Sequence, residues 1–215
     1  MNLKYSYWYF KSALPSHFCD KIIKYGNSKK EQLGITGGLI RGKEKPVINE
    51  EDLNEEQLNN LQKRRKSNVV WLDEKWLFKY LHHYLYTANI NAGWNFQWDQ
   101  SESIQFTKYK LNQFYDWHLD SWKEPYGEDQ PPFLRGKIRK LSMTCCLTGP
   151  ESYEGGEFEF RFTDDEGKTV DKVCKEIIPK GSIVVFPSFI HHRVKPVTKG
   201  TRYSLVMWSC GEPFK

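Results

Sequence analysis

The chain has no apolar run long enough to cross a bilayer as a helix, and its first residues, Met1-Asn2-Leu3-Lys4-Tyr5, lack the apolar stretch of a secretion signal. A protein without membrane contact, in the cytoplasm, is the expectation. No internal repeat is visible, which sets aside solenoids and propellers. Cysteine is sparse. The five (Cys19, Cys145, Cys146, Cys174 and Cys210) are odd in number and match no zinc or Cys-x-x-Cys spacing. Reduced thiols are expected, with Cys145 and Cys146 facing opposite ways on a strand. Nor is there a strong excess of one charge. The net +5 does not mark a nucleic-acid binder. The run Lys63-Arg64-Arg65-Lys66 reads as a solvated strand entry in preference to a phosphate-binding patch.

What the chain does have is aromatic bulk. Hydrophobic residues make up only 39% of its 215 residues, but aromatics reach 15%, enough to expect a real core. Residues 5–10 suit an opening strand. Pro15-Ser16 starts a helix with Ser16 as N-cap, Asp20 in the first turn, a stripe of Phe18, Ile22 and Ile23, and an end at Gly26-Asn27. Gly34, Gly37, Gly38 and Gly42 mark turns, and Asn49 to Arg65 is either a short exposed helix or a loose connection. Ser67 to Leu72 reads as a strand, and Asp73 is placed to cap a helix over 74–90. There Trp76, Leu77, Tyr80, Leu81, Tyr84 and Leu85 recur at the helical period, leaving His82 and His83 to solvent.

Strands dominate from Ile104 onward. Expected segments are Ile104–Lys110, Leu141–Leu147, Glu157–Phe162, Lys175–Ile178, Ser182–Phe186 and Thr201–Trp208. Glu157 to Phe162 alternates perfectly, so its three Phe face inward and its charges face water. Thr163 to Lys168 closes a hairpin. Thr201 to Trp208 has apolar members on both faces, and the 74–90 helix is its natural outer cover. Residues 122–139, rich in Pro and Gly, are a long connection of the kind that forms lids or substrate loops. Helices followed by about eight short strands indicate a mainly β fold, a double-stranded β-helix or jelly roll with helices on one sheet. One domain over 1–215 is expected, with 1–100 an N-terminal elaboration and 101–212 the jelly-roll core.

The chemistry centres on Tyr115-Asp116-Trp117-His118-Leu119-Asp120. On a strand, His118 and Asp120 point to one face. An imidazole and a carboxylate there are two thirds of the facial triad that holds non-haem iron(II) and leaves open positions. The third ligand is sought in Phe186-Pro187-Ser188-Phe189-Ile190-His191-His192-Arg193-Val194. Adjacent strand residues face opposite ways, so only one of His191 and His192 can serve, and residue physics leaves that choice open. Ten residues after His192 comes Arg202. Its fork suits the far carboxylate of 2-oxoglutarate, with Ser204 on the same face as a hydroxyl donor. Tyr109 and Tyr115 flank the metal strand, and Trp208 would wall the pocket. Tyr115, Trp122 and Arg139 are the candidate substrate contacts.

Phe106-Thr107-Lys108-Tyr109, Tyr115 to Asp120, Leu141-Ser142 to Gly155-Gly156-Glu157, and Phe186 to Val194 with Pro196-Val197-Thr198, Gly200 and Arg202 together resemble the iron(II)/2-oxoglutarate oxygenases of the prolyl 4-hydroxylase class. The likeness spans roughly residues 65–210. It implies His118, Asp120 and His192 as metal ligands, because the class has its histidine directly before Arg-Val. It implies Tyr109 and Arg202 as 2-oxoglutarate ligands with Trp208 near, and Fe(II), 2-oxoglutarate and ascorbate as cofactors. It further implies hydroxylation of a prolyl residue in a peptide or protein, with no nucleic-acid or membrane partner. Many relatives have a Gly-rich turn between the positions of Tyr109 and Tyr115. Here it reads Lys110-Leu111-Asn112-Gln113-Phe114, so a differently shaped loop is expected. Two other readings share the residues: the same chemistry on a free amino acid, small metabolite or nucleobase, and a catalytically silent metal-binding jelly roll.

Overall fold

The computed structural model describes residues 3–36, 49–164 and 166–214. In chain order the elements are β1 (Trp8–Phe10), α1 (Ser16–Asn27), β2 (Gln32–Leu33), α2 (Glu55–Arg64), β3 (Arg65–Lys66), β4 (Asn68–Leu72) and α3 (Lys75–Asn91). Then follow β5 (Gln100–Ser101), β6 (Ile104–Tyr109), β7 (Phe114–His118), β8 (Ile138–Cys146), β9 (Tyr153–Gly155), β10 (Phe158–Thr163) and β11 (Thr169–Val173). The last are β12 (Ile183–Pro187), β13 (His191–Val194), β14 (Val197–Gly200) and β15 (Arg202–Gly211). The large sheet has the order β1-β12-β8-β15-β6-β4-β2, with β5 on the end of β15. The small sheet is β11-β10-β13-β7-β3, and β14 pairs with β9. All these pairs are antiparallel, and the architecture is the expected double-stranded β-helix.

The large sheet is apolar on its helix side. Leu77, Leu81, Leu85 and Ala88 of α3 and Ile22 of α1 share one buried cluster with Met143, Cys145, Leu205 and Met207. That is the cover expected for the final strand. Gly26 lets α1 approach the sheet, since a Cβ there would lie 2.5 Å from the Phe106 ring. Between the sheets a second cluster gathers Phe158, Phe160, Phe186, Tyr109 and Val194. All five cysteines are free and buried. Among the described residues no helix is long and apolar enough to cross a membrane.

Several local expectations are corrected. Ser16 is the first helical residue and not the cap. Pro15 precedes it with φ −57°, and the Pro15 carbonyl accepts the Phe18 and Cys19 amides. Asp20 falls beyond the first turn and pairs with Lys180 at 2.5 Å. Glu74, not Asp73, precedes α3, without a side-chain cap; its carboxylate accepts the Tyr25 hydroxyl. The Asn49–Arg65 stretch does hold a helix, α2, opened by a capping box of Asn54 and Gln57. His82 is half-buried, bonded to Ser101 and packed on Trp98, while His83 is exposed. Residues 175–177 form a 3-10 turn. The hairpin turn at Gly167 sets Thr169–Val173 opposite β10, so the partner strand comes earlier in the chain than expected. Glu159 is buried, because β13 places Arg193 directly across from it at 2.7 Å. Gly37, Gly38 and Gly42 lie outside the described residues.

Candidate active site

β7 and β13 are neighbours, with His192 directly opposite His118. The two imidazoles lie together with ring centres 4.1 Å apart, while His191 is exposed, so it is His192 and not His191 that joins His118. Asp120 lies two residues past the end of β7, and a turn rather than a strand aims it. The amides of Asp120 and Ser121 both donate to the Ser188 carbonyl at 3.0 Å. Ser188 is fixed in turn: its amide donates to the Lys140 carbonyl at 3.0 Å and its hydroxyl meets that of Ser142 at 2.9 Å. The same turn steers His192, whose Nδ1 is 2.9 Å from the Ile190 carbonyl. A single segment, Pro187–Ile190, thus organises two of the three groups. Ser188 was not singled out in the sequence, since only tertiary contact reveals that it serves Asp120.

The tautomers follow from these bonds. A carbonyl can only accept, so Nδ1 of His192 and Nδ1 of His118, 2.7 Å from the Asp116 carbonyl, carry the protons. Nε2 of each ring is left with its lone pair toward Asp120, at 3.7 Å for His118 and 3.5 Å for His192. One ligand atom from each residue lies within 4.8 Å of the other two. Burial, then the adjacent His192, pushes the His118 pKa well below its ordinary value despite the pull of Asp120. Burial pushes the Asp120 carboxyl up, but His192, His118 and the fixed charge of Arg139 outweigh it and hold the pKa down. A neutral imidazole beside a carboxylate is the ligand state a divalent metal needs. Asp120 Oδ2 is buried with no hydrogen-bond partner among the described residues, an orphan that a cation would satisfy.

On β15, Arg202 is 1% exposed and lies opposite Tyr109 of β6. Its Nη1 donates to Ser204 Oγ at 3.3 Å, and its Nη2 is buried with no hydrogen-bond partner among the described residues. A buried cation left incomplete is costly unless an anion meets it. Burial raises the Tyr109 pKa, so its phenol stays protonated, with the Arg202 guanidinium 5.7 Å from the ring. Gly156 makes room for this arginine: a Cβ there, at φ +63°, would be 3.1 Å from Arg202 Cδ. Tyr153, next to Cys146 at 3.8 Å and facing the Arg202 guanidinium, is a neighbour that the sequence did not reveal.

The remaining candidates form the rim. Tyr115 stacks on His118 with ring centres 3.5 Å apart. Trp208 is buried with its Nε1 unpartnered. Arg139 lies 3.9 Å from the Trp208 ring centre and 5.0 Å from that of Trp122, which is 38% exposed. Arg139 is not a free cation, because Glu102 holds it by two bonds of 2.6 and 2.5 Å. The 122–139 connection is tied down by Tyr126, whose hydroxyl donates to Glu102 at 2.6 Å. In the Lys110–Phe114 turn, Asn112 takes the left-handed conformation at φ +61°, and its amide donates to the Val197 carbonyl at 2.8 Å. A tight turn is thereby made without glycine.

Comparison with known proteins agrees with this geometry. Residues 104–210 match the family model described as the 2OG-Fe(II) oxygenase superfamily. The chain is 38% identical over 106 residues to a PKHD-type hydroxylase of Gloeothece citriformis, covering 49% of this chain and 41% of that protein. The chain thus spans about two fifths of the length of the curated relatives it matches. Among solved structures, a viral collagen prolyl hydroxylase from Paramecium bursaria Chlorella virus-1, in complex with 2OG, superposes with TM-score 0.60 at 16% identity, covering 97% of each chain. A prolyl-4-hydroxylase from Pseudomonas putida gives TM-score 0.57 at 18% identity, covering 96% of this chain and 92% of that one. At these identities the structures speak for the fold and the family model for the sequence, and the matched range 104–210 contains His118, Asp120 and His192. Residues 104–210 of the chain are a domain of the 2OG-Fe(II) oxygenase superfamily.

Proposed function

We propose that this chain is an Fe(II)- and 2-oxoglutarate-dependent dioxygenase that hydroxylates a prolyl residue in a peptide or protein. The observation that carries the reading is the pairing of two buried groups, each with an atom left without a hydrogen-bond partner among the described residues: the Asp120 carboxylate, whose two oxygens face the Nε2 lone pairs of His118 and His192, and the Arg202 guanidinium. The first fits a divalent cation and the second a diacid. His118, Asp120 and His192 would hold the metal. The 3.5 and 3.7 Å separations fall within the span of about 4.4 Å open to two donors sharing one ion at about 2.2 Å each. Arg202, with Ser204 and Tyr109 beside it, would hold the far carboxylate of 2-oxoglutarate. When bound, iron(II) and 2-oxoglutarate supply the oxidation, in which dioxygen gives one atom to the substrate C–H and one to succinate as carbon dioxide leaves.

The protein's own work is placement and exclusion of water. Buried side chains close the metal-facing side of both sheets. Trp208 would wall the pocket, and its unpartnered Nε1–H can donate to a substrate carbonyl. Trp71, Trp208, Arg139, Trp122 and Tyr126 form a row of ring and guanidinium planes. Successive contacts run from 3.9 to 6.2 Å, and Arg139 reaches the Asp120 carbonyl at 3.4 Å. Aromatic rows grip proline-rich chains because the rings pack on the prolyl faces of a preformed extended helix. Prolyl hydroxylases among the structural neighbours support this choice of substrate. The reading treats 1–215 as one domain, supported by a core cluster that runs from Leu14 to Met207. Ascorbate would act as a reductant of the metal, with no dedicated site assigned.

The test is direct. The protein is incubated with iron(II), 2-oxoglutarate and proline-rich peptides, and the peptides are weighed for a gain of one oxygen atom. Free proline and small metabolites run in parallel. Succinate formation coupled to peptide oxidation, and lost in His118→Ala, supports the reading. Oxidation of a small molecule alone overturns the substrate class, and no succinate with any substrate overturns the chemistry.

A further inference from the structure

The basic run Lys63-Arg64-Arg65-Lys66 has no part in the reaction just described, yet one member is far from solvated. Arg65 is 4% exposed, which corrects the expectation of a solvated strand entry at this position. Its guanidinium is gripped on three sides. Nε donates to Ser67 Oγ at 2.8 Å, Nη1 to the Ile35 carbonyl at 2.8 Å, and Nη2 to Gln105 Oε1 at 3.2 Å. Gln105 is itself anchored by donating to Thr107 Oγ1 at 2.7 Å. Gly34 leaves the space for this arrangement: a Cβ there would sit 2.1 Å from Ser67 Oγ and 2.8 Å from Arg65 Nε.

What the grip presents is a flat cation against Tyr115. β3 pairs with β7 so that Arg65 lies opposite Tyr115, and the guanidinium carbon is 4.5 Å from the ring centre. The His118 ring stacks on Tyr115 at 3.5 Å and 9°. One face of a ring cannot hold both partners, so Tyr115 is sandwiched between the guanidinium and the imidazole. The backbone makes this possible by a bulge. His118 pairs with His192 but Tyr115 with Val194, so three residues of β7 span two of β13. Residues three apart on a regular strand face opposite sides; the bulge turns Tyr115 and His118 to the same side. Among the described residues the imidazole's only hydrogen bond runs to the Asp116 carbonyl, which belongs to that irregular backbone. The ring plane therefore needs a second restraint, and the stack is positioned to give it.

We propose that Arg65 is a positioning residue for the metal centre: clamped by the segment at Gly34–Ile35, Ser67 and Gln105, it holds the Tyr115 ring, which holds the plane of His118 and so the direction of its Nε2. The proposal rests on His118 being a metal ligand, as argued above. It gives the N-terminal elaboration a job in the site, since Ile35 and Ser67 lie outside the residues matched by the family model. Groups that orient metal ligands typically change metal affinity by 10–100-fold when removed.

The test uses the whole chain and cobalt(II) as probe, with no cosubstrate and no turnover. Arg65→Met, Tyr115→Leu and their double variant are titrated with cobalt(II), following affinity and the visible d–d bands. Each single variant is expected to weaken affinity about tenfold and to shift the bands alike, with the double no worse than the weaker single. Tyr115→Phe, which keeps the ring, should retain wild-type bands. If Arg65→Met does not fold, Gly34→Ala pushes on the same guanidinium without removing it, and a smaller shift of the same bands is expected. Singles that leave the bands and affinity unchanged, or that multiply in the double, overturn the positioning role. A wild-type protein that takes no cobalt(II) at these residues overturns the metal reading itself, so the two failures are told apart.

Discussion

Replacing Arg202 with methionine should have opposite effects on the empty protein and on its complex. Methionine keeps the unbranched stem and removes the charge. In the structure that charge is 1% exposed, its neighbours Ser204 Oγ at 3.3 Å and the Tyr153 phenol are neutral, and Nη2 has no hydrogen-bond partner among the described residues. No carboxylate pairs with it among the described residues. A buried cation so poorly matched is a liability, and apolar replacements of buried charges are often neutral or stabilising by about 1–4 kcal/mol. The ligand-free variant should therefore unfold at the same or a higher urea concentration than the wild type. Binding of 2-oxoglutarate should fall. Two charge-assisted hydrogen bonds to the far carboxylate are worth about 1.5–3 kcal/mol each. Losing about 3–6 kcal/mol corresponds to a weakening of roughly 150- to 20,000-fold. The assay is urea unfolding of the cobalt(II)-loaded protein with and without 2-oxoglutarate. A ligand at a hundred times its dissociation constant adds about 2.7 kcal/mol to the wild type, and that increment should vanish in the variant. A variant that loses stability when empty but keeps the increment would refute the reasoning, because Arg202 would then be a structural cation.

Two further perturbations address the rim and the helical layer. Glu102→Gln leaves Arg139 mostly buried and without its bidentate partner, between the rings of Trp208 and Trp122. Unpairing a buried ion should cost about 3 kcal/mol, read from the urea midpoint, and an unchanged midpoint would mean that the pair is idle. His82 has its pKa lowered by burial beside Ser101 and Trp98. Its folded pKa lies below the unfolded 6.5, so the unfolded chain binds the proton more readily. Stability is thus unaffected by this group above pH 6.5 and declines as pH falls below it. His82→Gln should flatten that acid slope relative to wild type, and parallel slopes in the two proteins would rule the group out.

The limits of the sequence reading follow from where each restraint resides. A period of two fixes which way a strand residue faces only while the strand is regular. That rule separated Arg202 and Ser204 from Leu205 and Met207 correctly, because β15 follows it across those residues. It also separated Phe158 and Phe160 from their charged neighbours, but it could not show that Glu159 is buried, since that depends on Arg193 lying across the sheet. For His118 and Asp120 it pointed to one face, but for the wrong reason. His118 and Asp120 converge although Asp120 is past the end of β7, because Ser188, 68 residues away in the chain, accepts its amide and that of Ser121. The rule failed for Tyr115 and His118, which the bulge at Asp116-Trp117 brings to one side. A bulge has no fixed residue signature, so spacing alone would have kept the two rings apart. Arg65 was hidden in the same way: within a run of four basic residues nothing separates the one that is buried from the three that are not. Only the cavity shaped by Gly34, Ser67 and Gln105 does so. The residues proposed to touch the metal and the diacid were thus legible as residue types at intervals, whereas the residues that orient them belong to pairings between distant strands, and those have to be seen in the fold.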